Sequence, residues 1–348
     1  SAHKGVTISD KEPAFTKLIT LCSLKMGLKS HKVHDRKKGE SEIATCADLE
    51  GHKGRDGRFY LLDFSRTYPP VYNSSRDVTY AKLSNYYQYF RSEFLEKLGI
   101  PLSSDALSNK EVKKATRILK TKVVSQVCSI LWIDGRKQDS ISEIFHREGL
   151  NMRYLGLVFE GLPKYKREKR WVFTSLQQEG VGRVLKGIFR SSLRQAQRES
   201  NSSESAVLVC IVKFLNLFFA GELVEREKEN IINLLVHRFH FSRSCARKCL
   251  TLFASPKSTY SLIKSVCDMT GLRLEQQILS EMRTKNARDV MKFSFADIIG
   301  LGDRVKDLGL VARAKSYRLY SRGLQSSTKP READRFFQRA DETLVNAL

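Results

Sequence analysis

Four basic residues recur at helical spacing near the middle of the chain: Arg183, Lys186, Arg190 and Arg194. At about 100° of rotation per residue they lie within one third of a helix circumference, and the apolar residues of this stretch occupy the far side. No acid is interspersed among the four positions, so we expect no ion-pair partner on the same helix and mutual repulsion between neighbours. The pattern favours a surface for an external polyanion; the alternative is a solvated helix face.

A second basic cluster precedes this stripe and has aromatic residues interleaved. It comprises Lys164, Tyr165, Lys166, Arg167, Lys169, Arg170 and Trp171. Lys and Arg neutralise phosphate groups, whereas unpaired bases stack on aromatic rings. The two clusters together predict RNA binding through contacts to the phosphate backbone, with stacking on Tyr165 and Trp171.

The composition agrees with an anionic partner. Among 348 residues, 61 Lys and Arg against 38 Asp and Glu give a formal net charge of +23. Nucleic-acid phosphate and anionic membrane surfaces are the two partners that such an excess favours. A hydrophobic fraction of 41% and a charged fraction of 28% indicate a globular protein. No apolar run reaches the roughly 20 residues that a membrane-spanning helix needs.

The cysteines and the N-terminus indicate a compartment. Seven cysteines, an odd and scattered number, argue against a disulfide framework and for a reducing environment. Residues 1–5 contain neither an apolar signal segment nor an initiator Met. We therefore expect a reducing compartment and a chain that is a piece of a longer protein.

One segment permits a catalytic interpretation. The sequence FYLLDF at residues 59–64 resembles the strand before a metal-binding Asp-Phe pair, in which Asp63 would hold Mg²⁺ for phosphotransfer. No glycine-rich phosphate loop and no strand lysine precede it, however, in the 62 residues before Asp63. The structural alternative is a partly buried ion pair between Asp63 and Arg66. We expect no enzyme and no catalytic residue, and keep a kinase-like ATP-binding protein as a minor alternative.

Two further groups of residues have chemical potential. His237, His240, Cys245 and Cys249 are suitable zinc ligands, but their spacing departs from the usual pairs, and the two cysteines fall on the core face of one helix. We expect no metal and no cofactor. Asn151, Arg153 and Tyr154 favour a turn or cap with a buried arginine, and the alternative is an Arg-Tyr pair that stacks on a base.

The elements that must position these residues follow from the hydrophobic pattern. We predict a helix at 15–28, a solvated loop for the basic run at 29–38, and a β-hairpin of residues 43–50 and 58–64 around Asp56-Gly57. An aromatic-rich helix at 77–98 follows, then helices at 111–131 and 142–149. Beyond a linker at 199–205 the pattern is helical throughout.

The fold class is therefore α+β, with a hairpin-containing N-terminal region before a predominantly α-helical region. We divide the chain into a mixed α/β region (1–110), a helical region with the basic stripe (111–200), an all-α region (201–310) and a TPR-like helical hairpin (311–348). That hairpin rests on an alternation of small and large residues typical of a TPR repeat. The residues are Tyr317, Tyr320, Leu324, Ala333, Phe337 and Ala340.

Three segments, occurring in this order, together resemble the Clu domain of the clustered-mitochondria family. They are GHKGRDGRFYLLDFSRTYPP (51–70), PLSSDA (101–106) and HREGLNMRYLG (146–156), of which the last is the most specific. Further similarity lies in FLN at 214–216, FADII at 295–299 and VK at 305–306. The residues that carry the family motifs include Asp63, Arg66, Asn151, Arg153 and Tyr154.

The resemblance implies a cytoplasmic, non-enzymatic, RNA-associated protein that acts on mRNAs for mitochondrial proteins and on mitochondrial distribution. The implied partners are RNA, in particular mRNA, and ribosome or translation-associated proteins. The alternative from another class is a protein-interaction scaffold that binds through its C-terminal helices.

Overall fold

The computed structural model of the chain describes residues 13–35, 39–47, 49–62, 66–72, 88–105, 110–134, 140–163, 169–199, 204–221, 223–284 and 292–301. They divide into two units, Ser1–Tyr154 with Gly161–Lys164, and Leu155–Glu160 with Tyr165–Leu348. The four-part division at residues 110, 200 and 310 stays a prediction. Within the described ranges, no helix is long and apolar enough to cross a membrane.

The first unit mixes short strands with helices, in agreement with the predicted α+β class. In chain order it contains α1 (Pro13–Lys25), β1 (His31–Asp35), β2 (Gly39–Ile43), β3 (Glu50–Lys53), β4 (Phe59–Leu62), α2 (Ser92–Leu98), α3 (Lys110–Ile118), a π-helical turn (Leu119–Val123), α4 (Val124–Asp134), α5 (Ile141–Arg147) and a 3-10 turn (Met152–Tyr154). Helix α5 begins with a capping box, in which the Ser140 hydroxyl accepts from the Glu143 N–H at 3.2 Å.

The prediction of a solvated loop at residues 29–38 is wrong, because this basic run contains β1. That strand pairs antiparallel with β2, with His31 opposite Ile43. Lys32 Nζ lies 2.8 Å from Glu40 Oε2 across the pair, and His31 Nε2 lies 3.0 Å from Asp105 Oδ2. A charged segment carries little intrinsic strand preference. Partners distant in the sequence therefore decide its conformation.

A hairpin turns at Asp56-Gly57 as predicted, but the predicted position of its first strand, 43–50, is wrong. Strand β3 (Glu50–Lys53) pairs antiparallel with β4 and lies between the two predicted strands, whereas Ile43 ends β2. Asp56 Oδ1 accepts from the Arg58 N–H at 3.1 Å, and Asp56 Oδ2 accepts from the Tyr60 hydroxyl at 2.6 Å. The hydrogen bond from Tyr60 holds the pKa of Asp56 below its ordinary value. The turn also places Gly57 at a φ of 76°.

Gly57→Ala should lower the free energy of unfolding by about 1–2 kcal/mol, because a residue with a Cβ is strained at positive φ. No atom lies within 4 Å of the added Cβ, so the effect comes from the backbone alone. Gly57→Asn should cost less, since Asn tolerates the left-handed region. Urea denaturation of the two variants measures the difference, and equal stabilities of parent and Gly57→Ala would contradict the turn geometry.

The aromatic helix predicted at 77–98 is wrong over residues 88–91. Tyr89 instead forms an antiparallel bridge with Pro70, and the Phe90 N–H donates to the Pro69 carbonyl at 3.0 Å. Helix α2 begins only at Ser92, and residues 73–87 lie outside the described ranges. The rings of Phe90 and Phe94, both buried, stack with centroids 5.0 Å apart. Pairing with residues 69–71 thus outweighs the helical spacing of the aromatic residues.

The second unit is built around one long helix. It contains α6 (Leu155–Gly161), α7 (Arg170–Glu199), α8 (Glu204–Phe219), α9 (Glu225–Phe239), α10 (Arg243–Cys249), a 3-10 turn (Leu250–Phe253), α11 (Pro256–Thr270), β5 (Leu272–Leu274), α12 (Gln276–Thr284), a second 3-10 turn (Phe295–Asp297) and β6 (Ile298–Leu301). Helix α7 packs against α8, α9, α10 and α11. It buries Leu176, Val181, Leu185 and Phe189.

The predominantly helical C-terminal region is confirmed, but residues 201–310 are not all-α. Strand β5 pairs antiparallel with β6, with Leu272 opposite Leu301. The helical pattern does not predict this pair, because each strand has only three or four residues. The TPR-like hairpin predicted at 311–348 lies outside the described residues.

Asn216 of α8 holds the segment before β6 in place. Its Nδ2 donates to the Phe293 carbonyl at 2.9 Å, and its Oδ1 accepts from the Phe293 N–H at 2.7 Å. Phe293 itself is 2% exposed. Two separate similarities to the Clu family, FLN at 214–216 and FADII at 295–299, thus lie close together, because one side-chain amide pairs with both backbone polar groups of the buried Phe293.

Asn216→Asp should lower the free energy of unfolding by roughly 1–3 kcal/mol, because the carboxylate loses the donor and faces the Phe293 carbonyl. The change raises the pKa of the new carboxyl group in the folded state, so the deficit should grow as the pH rises above that group's unfolded pKa. Urea denaturation at low and at neutral pH measures this dependence. A deficit that is independent of pH would contradict the bidentate contact.

Candidate polyanion interface

The structure divides the predicted basic stripe, whose four residues all lie on α7. Arg183 Nη2 lies 2.7 Å from Glu179 Oε1, one turn earlier on the same helix. The prediction that the stripe has no ion-pair partner on its helix is therefore wrong at Arg183. Glu179 lies four residues before Arg183, outside the stretch from 183 to 194 on which the prediction rested. The Arg183 side chain is 27% exposed, and Lys186 is half-buried.

Arg190 and Arg194 form the exposed end of the stripe. Both side chains are exposed, and the Arg194 Nε donates to the Arg190 carbonyl at 3.2 Å. Neither guanidinium forms an ion pair with any residue in the described ranges. Their separation of four residues places them on successive turns of one helix face, where their charges add.

Sequence reasoning missed a third arginine of this surface, Arg238 of α9. A Cβ added at Gly187 of α7 would lie 3.1 Å from the Arg238 Nη1, so this guanidinium occupies the space above the glycine. Gly187 precedes Arg190 by three residues and therefore lies in the same stripe. Arg238 is exposed and, like the other two, has no ion-pair partner in the described part of the chain. The sequence signal for this contact was Gly187, which interrupts the basic stripe and leaves room for a side chain from another helix.

We call Arg190, Arg194 and Arg238 the arginine surface. Two helices contribute to it, and the burial of α7 and α9 against the core fixes their relative position. Its guanidinium groups are planar cations that can donate two parallel hydrogen bonds, and this geometry matches the oxygens of a phosphate. Arg198, one turn after Arg194, is also exposed and extends the surface along α7.

The second predicted cluster does not join the arginine surface. Lys164, Tyr165, Lys166 and Arg167 lie outside the described residues, Lys169 is half-buried, and Arg170 is exposed. Arg170 begins α7, so the rise per residue places it about 30 Å from Arg190 along the axis. The indole N–H of Trp171 is buried and has no hydrogen-bond partner in the described part of the chain.

The most specific Clu-like segment, 146–156, makes structural contacts in the first unit. Glu148, which is 7% exposed, accepts from Lys97 Nζ at 2.6 Å and from Gln126 Nε2 at 3.0 Å. Its carboxylate thereby connects α2, α4 and the end of α5. Gly149 has a φ of 75°, and a Cβ there would lie 2.5 Å from the Phe94 backbone nitrogen. Both residues therefore serve packing.

The polar residues of this segment also have structural positions. Asn151 Oδ1 accepts from the Arg153 N–H at 3.2 Å and so caps the 3-10 turn. Arg153 is half-buried, and Tyr154 is 1% exposed. Burial raises the pKa of Tyr154 to about 12. A ring buried to this degree offers no face to an RNA base.

Gly156 gives the segment a role in the second unit. A Cβ at this position would collide with the backbone of His240 and Phe241. One turn later on α6, the Glu160 carboxylate accepts from the Ser242 N–H at 2.5 Å. Helix α6 thus lies directly against residues 240–242, and only a glycine permits that distance.

The remaining predicted residues carry no assembled site. Asp63 lies outside the described residues, and Arg66 is half-buried. No group of three or more metal-ligating residues occurs within the described ranges. Cys249 is buried in α10, where its Sγ donates to the Cys245 carbonyl at 3.3 Å. Burial, and then the neighbouring Cys245, raise the pKa of the Cys249 thiol to about 12, which disfavours the thiolate that zinc requires.

Comparisons with known proteins agree with the sequence motifs. The family model for "Clustered mitochondria" matches residues 1–73, and the model for "Translation initiation factor eIF3 subunit 135" matches residues 130–285. The second range contains the 146–156 segment, α7 and Arg238. No solved structure matches this chain.

Several curated relatives carry the name clustered mitochondria protein homolog. The protein from Malassezia globosa is 38% identical over 71 residues, which is 20% of this chain and 5% of that protein. The protein from Aspergillus fumigatus is 30% identical over 126 residues, or 34% of this chain and 9% of the relative. The protein from Candida albicans is 26% identical over 222 residues, which is 42% of this chain and 16% of that protein.

The matched regions thus span between 5% and 16% of the length of these relatives. Together with the motifs, the matches confirm the resemblance recognised from the sequence: parts of the chain are similar to clustered-mitochondria proteins.

Two glycines of the second unit should respond in opposite ways to substitution by alanine. Gly156→Ala should lower the free energy of unfolding by about 3 kcal/mol, because its Cβ meets backbone that has no room to move. Gly187→Ala should raise it by up to about 1 kcal/mol, since alanine favours the helix and only the flexible end of Arg238 must shift. Urea denaturation of both variants tests the packing. Similar effects at the two positions would contradict it.

Proposed function

We propose that this chain is a non-enzymatic, cytoplasmic RNA-binding protein that contacts the phosphate backbone through the arginine surface. The observation that carries the proposal is the convergence of Arg190, Arg194 and Arg238 from two helices, all exposed and without ion pairs in the described part of the chain. Such a cluster repels itself, so an external polyanion stabilises it. The net charge of +23 provides long-range attraction to the same partner.

The comparisons support a role near translation. The range matched by the translation initiation factor model contains the whole arginine surface, and the curated relatives bear a name that refers to mitochondria. We infer that the RNA is messenger RNA, that ribosome or translation-associated proteins are further partners, and that the chain acts on mRNAs for mitochondrial proteins and on mitochondrial distribution. Arginine contacts to phosphate would give modest sequence preference.

The salt dependence of binding to a single-stranded RNA oligonucleotide tests the electrostatic mechanism. If about six phosphates are contacted, the slope of log affinity against log salt should be about −4 for a single strand. Replacing Arg190, Arg194 and Arg238 together by Glu should reduce the slope to about −2 and weaken binding by at least about tenfold. The melting temperature should barely change, because exposed charges contribute little to stability.

A second triple variant controls for net charge. Lys257, Arg273 and Arg283 are exposed residues of α11, β5 and α12, and their replacement by Glu changes the charge of the chain by the same amount. This variant should keep most of the RNA affinity. Equal loss of affinity in both triple variants would show that total charge, and not the arginine surface, controls binding. Fluorescence anisotropy over a series of salt concentrations measures both.

A further inference from the structure

A groove runs between the C-terminal half of α7 and α8, with a volume of about 570 Å³. Its walls include Ile188 and Ala196 of α7 and Val209 and Leu217 of α8. Val209 is 36% and Leu217 42% exposed, although both are apolar. Exposed apolar side chains that line one concave surface are typical of a binding site for another molecule.

The groove is separate from the arginine surface. On α7, Ile188 and Arg190 differ by two residues, which is about 200° of rotation, so they point to nearly opposite sides. Ile188, Ala196 and Glu199 therefore face the groove, whereas Arg190 and Arg194 face away from it. Occupation of one side leaves the other accessible.

Lys213 is the charged residue at the centre of the groove wall. It follows Val209 by four residues and precedes Leu217 by four, so the three lie on one face of α8. Lys213 is exposed and has no carboxylate partner in the described ranges. The face therefore presents a cation between two apolar side chains, about 12 Å apart along the axis. Glu199, at the C-terminal end of α7, also lines the groove and places a negative charge at that end.

We propose that this groove binds an amphipathic helix of a protein partner that carries an acidic residue within its apolar face. A helix with leucines at heptad spacing would cover Val209 and Leu217, and a carboxylate beside the central leucine would pair with Lys213. Glu199 would set the direction of the bound helix by favouring a basic residue at its own end. The proposal does not depend on RNA binding.

The charge pattern disfavours a second copy of the chain as the occupant. In a two-fold arrangement of α8 against α8, the same patch faces itself, so Lys213 at the centre of the patch would lie opposite Lys213 of the other copy. Two ammonium groups without counter-charge in an apolar contact repel each other. An acidic partner helix removes this repulsion.

Binding of two designed peptides tests the proposal. The probe is a fluorescein-labelled, alanine-rich helix of about 18 residues, long enough to be partly helical in water, with leucines at heptad a and d positions. One version has a glutamate beside the central leucine, and the other has a lysine there. The parent protein should bind the glutamate probe about tenfold more tightly, a difference of roughly 1.4 kcal/mol. Lys213→Glu should reverse the preference.

Three further variants make the outcome specific. Leu217→Asp should abolish binding of both probes while the circular dichroism spectrum stays that of the parent. Lys264→Glu, at an exposed lysine of α11, should leave the preference unchanged. The Arg190, Arg194 and Arg238 triple variant should also bind the glutamate probe normally, so failure of RNA binding and failure of the groove are distinguishable.

Three results would overturn the proposal. The first is equal affinity of the parent for the glutamate and lysine probes, and the second is loss of probe binding in the arginine triple variant. The third is a concentration-dependent dimer in sedimentation equilibrium that Leu217→Asp dissociates, because a second copy would then occupy the groove.

Discussion

The second unit depends on the burial of α7 against four other helices. Its apolar residues Leu176, Val181 and Leu185 are fully buried, and each contributes about 1.5–3 kcal/mol relative to exposure. A helix that is packed on so many sides has little of its circumference exposed to solvent for polar contacts. The arginine surface and the groove occupy two parts of that exposed circumference, so their geometry follows from the packing of the core.

Close backbone contact is the second constraint, and it accounts for the Clu-like segment at 146–156. Gly149 and Gly156 each lie where a Cβ would meet backbone atoms, and Glu148 satisfies two donors from other helices. Asn216 acts similarly through its hydrogen bonds to the backbone N–H and C=O of Phe293. The most family-like residues of this chain therefore maintain the fold, and the arginine surface consists of residues outside those motifs.

The opposite placement of the arginine surface and the groove has a functional consequence. A phosphate backbone on one side of α7 and a partner helix on the other would both contact the same rigid element, without competing for space. The two hypotheses that the sequence left open, RNA binding and protein scaffolding, are thereby compatible in one domain. In that arrangement the chain would connect an RNA to a protein partner, and no catalytic residue is needed.

Local pattern alone determined most helices and the Asp56-Gly57 turn, because helical period and turn chemistry depend on neighbours in the chain. The Clu resemblance likewise rested on short segments of sequence. Tertiary structure decided the rest. Strand β1, although charged, pairs with β2, and its side chains form ion pairs with Glu40 and Asp105. Residues 88–91 pair with 69–71 instead of continuing a helix. Strand β5 pairs with β6. Arg238 joins Arg190 because α9 lies over Gly187. Each of these contacts joins residues that the helical or strand period does not relate, and their energy exceeds the local preference.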